Sequence, residues 1–214
     1  MTKLIFVRHG YSEANKSHVF AGCTFDAPLS EQGKAQGDAV SSFIAQNFLV
    51  DRIVSSPMIR AQSTVKLLSE KTGKQIETDE KFREIYGGEW EGKTFSDIEK
   101  IYPEEYVLWR TDFGYCRPVG GESFEELRER VVNAARRLAE ESDGKTVVVA
   151  THAGAIRALL AGVKNLTDEE IKQTTWVPNA SISVLAYENG TWTVEIEGFA
   201  DYLGENKTVL PPNI

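Results

Sequence analysis

Leu4-Ile5-Phe6-Val7 is an uninterrupted apolar run, the pattern of a strand covered on both faces, and it stops abruptly at Arg8-His9-Gly10. A second run has the same grammar. Val147-Val148-Val149-Ala150, between Thr146 and Thr151, ends in His152-Ala153-Gly154 and leads into an apolar stretch over residues 155–161 that predicts a helix. Both read as buried strands that deliver reactive side chains at their carboxyl ends, where open α/β sheets bind ligands. Gly10 lets the backbone turn sharply and approach an anion closely. As parallel neighbours the two strands would end at one edge, so that His9 and His152 meet across a cleft.

Elsewhere short apolar runs alternate with capped helical periods. Ser30 predicts the N-cap of a helix with Ala39, Val40, Phe43 and Ile44 on one face. Residues 51–56 predict a short strand. Ser56-Pro57 then places a proline at the first position of a helix that carries Arg60 in its first turn, buries Ala61, Val65 and Leu68, and ends at Thr72-Gly73. A strand over 76–83 follows. Ser123 and Glu126 form a capping box before a long amphipathic helix carrying Leu127, Val131, Ala134, Ala135 and Leu138, and Thr167 with Glu170 repeats the device. Residues 182–187 and 192–196 flank Asn189-Gly190, a strong hairpin signal. The class is α/β, with a mostly parallel sheet and antiparallel pairing at one edge. Pro211-Pro212 marks a closing tail expected to be loose.

A chain of 214 residues with 41% hydrophobic content can bury a sizeable core, and no break in composition divides it, so one domain over 1–214 is expected. No stretch approaches the ~20 apolar residues needed to span a bilayer. Met1-Thr2-Lys3 runs straight into a strand rather than into a signal peptide's apolar segment, so a cytoplasmic location is expected, with Cys23 and Cys116 as free thiols. The net charge of −8 and the lack of any Lys/Arg cluster argue against nucleic acid and anionic membrane as partners. A small anionic substrate held by local arginines fits this balance, and a homodimer is compatible with it.

Five segments together carry a resemblance: Arg8-His9-Gly10; Ser55-Ser56-Pro57 with Arg60; Arg83-Glu84 ahead of Tyr86-Gly87-Gly88-Glu89-Trp90-Glu91-Gly92; Gly120-Gly121-Glu122-Ser123; and Thr151-His152-Ala153-Gly154. In this order and spacing the chain resembles the histidine phosphatase superfamily, also called the phosphoglycerate mutase-like family, along nearly its whole length. The resemblance implies a three-layer α/β/α sandwich and phosphoryl transfer through a phosphohistidine, with no cofactor and no metal.

It makes His9 the nucleophile. Imidazole attacks only when unprotonated, and the guanidinium groups of Arg8 and Arg60 disfavour its cationic form. Arg8, Arg60 and His152 are expected to clamp the transferred phosphoryl, whose equatorial oxygens carry the developing charge. Arginine suits this because its planar fork meets phosphate oxygens bidentately. Backbone N–H groups of Ala153 and Gly154, at a helix start, are expected to add donors. Glu84 is the expected acid for the departing oxygen, with Glu89 and Glu91 as nearby competitors. Ser12 and Asn15 match positions that hold phosphate through side chains, and Gly22 and Cys23 match positions that touch substrate through the backbone. Ala21 and Cys23 depart there from the family's more polar or aromatic choices. Trp90, Trp109, Tyr86 and Phe25 are candidates for the pocket wall or the core, and His18 is expected in a loop near the mouth.

Gly87 to Thr94 also fits the phosphate-loop pattern G-x-x-x-x-G-K-T. Two glutamates and a tryptophan inside that loop would repel or block phosphates, and no apolar strand ends in the Asp expected to hold magnesium. Residues 94–122 read as a small cap with one short helix near 95–102, shorter than the insertion mutase relatives carry. The expected function is therefore hydrolysis of a small phosphomonoester, in the branch that includes α-ribazole phosphatases. Cofactor-dependent phosphoglycerate mutase is one alternative, and a catalytically quiet regulator that binds phosphorylated ligands is the other.

Overall fold

The computed structural model describes residues 1–208, so the Pro211-Pro212 tail lies outside the described residues. In chain order the elements are β1 (Thr2–Arg8), α1 (Glu13–Lys16), α2 (Glu31–Asn47), β2 (Arg52–Ser55), α3 (Ile59–Thr64), α4 (Lys66–Thr72) and β3 (Ile76–Thr78). They continue as α5 (Phe95–Ile101), α6 (Pro103–Thr111), α7 (Phe124–Glu141), β4 (Thr146–Thr151), α8 (Ala153–Val163), α9 (Asp168–Gln173), β5 (Ile182–Glu188) and β6 (Thr191–Phe199). No helix among the described residues is long and apolar enough to cross a membrane.

The sheet runs β3-β2-β4-β1-β5-β6. Pairing is parallel from β3 to β1, and antiparallel from β1 through β5 to β6. Alternate residues of a strand face opposite sides, so a strand at the centre of a sandwich must be apolar throughout. β1 obeys this: Leu4 and Phe6 join the core under α7 and α8, whereas Ile5 and Val7 join the core under α2, α3 and α4. Helices thus cover both faces of the sheet, giving the three-layer sandwich.

The three anticipated caps form, at Ser30, Ser123 and Thr167, and Ser12 with Asn15 adds a capping box on α1. The hairpin turns at Asn189 and Gly190, which have φ of 50° and 81°. Three expectations are corrected. Pro57 lies outside α3, whose N-cap is Met58, and the helix breaks at Val65. Just before that break the Thr64 hydroxyl donates to its own helix at Arg60 O (2.7 Å), a back-bond that bends helices. The strand expected over 76–83 stops at Thr78, because the Asp79 carboxylate caps a 3-10 turn over Glu80–Phe82. Residues 94–122 hold α5, α6 and a 3-10 turn at Phe113–Tyr115 instead of one short helix. Pro103 opens α6 at its first turn, and Trp109, Phe113 and Cys116 are buried in the same core as Phe6.

Candidate active site

Adjacency of β1 and β4 places the two histidines. Arg8 pairs with Thr151, and His9 N–H donates to Thr151 O (2.9 Å), so the chain leaves both strands in the same row. The rings of His9 and His152 then lie with centroids 5.2 Å apart at 61°. His9 Nδ1 sits 2.7 Å from Gly10 O. A carbonyl only accepts, so Nδ1 carries the proton and Nε2 keeps its lone pair. Burial first, and then Arg60 and Arg8, push this imidazole well below its ordinary range, which holds it neutral.

Arg8 and Arg60 are themselves buried, at 6% and 1% exposure. Arg8 Nη1 donates to Val177 O (2.6 Å), while Arg60 donates to Asp26 Oδ1 (3.0 Å) and Gly22 O (2.6 Å). Among the described residues the Nε of each has no partner. Burial lowers both guanidinium pKa values, that of Arg8 to about 10, so Arg8 remains cationic at neutral pH. His152 Nε2 lies 2.8 Å from Ser56 Oγ, and its Nδ1 is buried without a partner among the described residues. When the Ser56 hydroxyl donates to Nε2, the neutral ring carries its proton on Nδ1, in the buried space beside His9.

Glu84 is tied down at both oxygens. Oε2 accepts the Gly154 N–H (3.0 Å) and Oε1 the Ile85 N–H (2.9 Å). The Gly154 N–H, expected as a donor to the anion, is therefore committed to Glu84. From α7, Arg130 donates to Lys81 O, Arg83 O and Glu84 O (2.8, 3.1 and 3.2 Å) and meets the Glu122 carboxylate with Nε and Nη2 (2.8 and 2.7 Å). This clamp explains Glu122 in the Gly120-Gly121-Glu122-Ser123 segment. Gly10 is also required for contact with α2, since a Cβ there would meet Gly33 O at 2.5 Å.

A cavity of about 210 Å³ opens in front of His9. Arg8, Ser12, Asn15, Gly22, Arg60, Glu84 and Ala153 line it, whereas Cys23, His152 and Gly154 do not. The Cys23 N–H is taken by Glu91 Oε1 (2.9 Å), and burial pushes the thiol up to about 11. Glu91 also accepts the N–H groups of Thr24, Phe25 and Gly87, so it knots the loop after Gly22, while Glu89 accepts the Tyr102 hydroxyl. Both cysteines are free thiols. Trp109 and the exposed His18 join the lining; Trp90 belongs to the core, and Tyr86 and Phe25 stand on the surface. The phosphate-loop look-alike is no cradle, because Gly88–Trp90 forms a 3-10 turn around a fully buried indole and Lys93 bonds Glu89 O.

Sequence reasoning missed Asp26, Asn179 and Trp176, and it gave Ser56 no role. Asn179 Nδ2 donates to His9 O (3.1 Å) and Asn15 Oδ1 (3.3 Å), and Trp176 forms part of the cavity wall. These residues stand in irregular segments with no periodic signal.

A neutral imidazole between buried arginines, at the carboxyl edge of a parallel sheet, defines a class of phosphoryl-handling site. Residues 4–198 match the histidine phosphatase superfamily (branch 1), so the chain belongs to that superfamily and is a phosphatase-type enzyme. It is 28% identical to phosphoglycerate mutase-like protein 4 of Arabidopsis thaliana over 95% of this chain and 87% of that protein. It is 29% identical to the adenosylcobalamin/alpha-ribazole phosphatase of Salmonella typhimurium over 92% of this chain and 93% of that protein. Among solved structures, Bacillus stearothermophilus YhfR superposes with a TM-score of 0.89 at 25% identity, covering 95% of this chain and 100% of that one.

Proposed function

We propose that the protein hydrolyses a small phosphomonoester through a phosphohistidine formed at His9 Nε2. The observation that carries this reading is His9 itself, its proton held on Nδ1 and its ring kept neutral beside two buried arginines whose Nε atoms have no partner among the described residues. Nε2 attacks phosphorus and the ester P–O bond breaks. Glu84, when protonated, delivers its proton to the departing oxygen. Arg8 and Arg60 hold the equatorial oxygens where charge develops. Water then attacks phosphorus, Glu84 takes its proton, the N–P bond breaks, and inorganic phosphate leaves with His9 restored. No step in this sequence uses a metal ion.

The test compares wild type with His9→Ala on p-nitrophenyl phosphate in the presence of a chelator, with acid quenching to trap labelled phosphate on the protein. Expected are chelator-resistant turnover, acid-labile phosphate on His9, and a loss of at least about a thousandfold in His9→Ala. Interconversion of 2- and 3-phosphoglycerate faster than phosphate release would replace this reading with a mutase. Binding of phosphate esters without acid-labile phosphate would replace it with a phospho-ligand-binding regulator.

A further inference from the structure

The cations of the cavity are Arg8 and Arg60, both assigned above to the phosphoryl group, and among the described residues no other arginine and no lysine lines it. Much of the remaining wall is aromatic: Phe20 from the loop after α1, Phe95 from α5, Trp109 from α6 and Trp176 from the segment after α9. Phe20 meets Phe95 and Trp109 edge-on, with centroids 6.0 and 5.1 Å apart, and Trp109 stacks on Trp176 at 5.5 Å and 28°. Rings locked against one another in this way form a wall already in place before a ligand arrives.

Several of the polar side chains sharing the lining, Ser12, Asn15, Asn179 and Thr208, bond one another. Asn15 and Ser12 cap each other, Asn179 bridges His9 O and Asn15, and the Thr208 hydroxyl donates to Asn179 Oδ1 (3.2 Å). His18 is exposed. Behind the wall, the Arg157 guanidinium lies 4.7 Å from the ring centroids of both Phe113 and Trp176. A cation already placed on the Trp176 ring weakens that ring's attraction for a second one. A carboxylate on the substrate would be desolvated against aromatic faces with no arginine or lysine of the lining left to pair it.

We infer that the alcohol released by this enzyme is an aromatic or bulky apolar one, and that the site rejects esters whose alcohol carries a carboxylate. The inference rests on the phosphohistidine hydrolase reading. Cap helices α5 and α6 then set specificity through Phe95 and Trp109, while β1 and β4 supply the chemistry.

The experiment measures kcat/KM of the intact chain for phenyl, 2-naphthyl and 4-carboxyphenyl phosphate near neutral pH, with 3-phosphoglycerate alongside. The carboxyl group makes 4-carboxyphenol a slightly better leaving group, so any preference for the phenyl ester comes from the site. Expected is a kcat/KM about a hundredfold lower for the carboxyphenyl than for the phenyl ester, with the naphthyl ester equal to phenyl or better. Trp176→Ala is expected to lower use of the naphthyl ester about tenfold more than use of the phenyl ester. Inhibition by inorganic phosphate stays as in wild type, which shows the His9 end intact. Phe95→Lys, which adds a cation to the wall, is expected to raise use of the carboxyphenyl ester. Wild type that uses the carboxyphenyl ester or 3-phosphoglycerate as well as phenyl phosphate overturns the inference. If acid-labile phosphate then forms on His9, the hydrolase reading survives; if no ester phosphorylates His9, that reading falls and the inference with it.

Discussion

At Gly154 the chain has room for a hydrogen where any other residue carries a carbon: a Cβ there would sit 2.4 Å from Glu84 Oε1. The same residue's N–H holds Glu84 Oε2, so one position both admits and orients the candidate acid. Gly154→Ala is expected to displace the carboxyl and lower kcat about a hundredfold for alkyl phosphates, whose departing oxygen needs a proton. The loss for p-nitrophenyl phosphate, whose leaving group departs as the anion, is expected to be much smaller. An equal loss on both esters would remove Glu84 from the role of acid. Arg8, His9 and His152 were legible because each follows an apolar run that ends without warning. Asp26, Ser56 and Asn179 were not, since their bonds to Arg60, His152 and His9 join positions 34, 96 and 170 apart, and short polar side chains in irregular segments leave no periodic trace.

α7 shows how an element acts at a distance from the chemistry. Its Arg130 gathers three carbonyls of the 81–84 segment and the Glu122 carboxylate with a single planar fork, which a lysine cannot reproduce. Arg130→Lys is expected to cost roughly 1–3 kcal/mol in urea unfolding and to lower kcat for alkyl phosphates with little change in KM. Unchanged kcat would make the clamp purely structural. The N-terminus of α7 is a separate matter: Ser123→Ala removes one half of the capping box, at a cost of about 1 kcal/mol and ~2–4 °C in Tm. Such caps were legible because both partners lie within four residues. The limit of β3 was not, because Asp79 ends the strand through its side chain. α6 was hidden because Val107 and Leu108 are exposed on it while Trp109 is buried, which blurs the amphipathic stripe.

For the molecule as a whole, two buried neutral histidines make stability depend on pH. The order β2-β4-β1-β5 follows from apolar runs that need cover on both faces, yet it closes His9 and His152 into a space where burial, before any neighbouring charge, opposes protonation. Unfolded, both imidazoles titrate near their ordinary value of about 6.5. Between that value and their depressed native values the unfolded chain binds more protons than the folded one, so stability rises with pH across this window. It is complete above about pH 6.5 and falls below it, by about 1.4 kcal/mol per pH unit for each histidine. Carboxylates held low by partners, such as Glu77 and Glu91, act only further down, below the ordinary carboxylate range, so the first loss on acidification belongs to the imidazoles. Urea unfolding between about pH 7 and pH 5 is expected to show this slope in wild type and a shallower one in His9→Asn and in His152→Asn, each variant removing one imidazole's share. A wild-type slope no steeper than that of either variant would mean that the histidines take up protons in the native state as readily as in the unfolded chain. His9 would then lack the enforced neutrality on which its nucleophilic role depends.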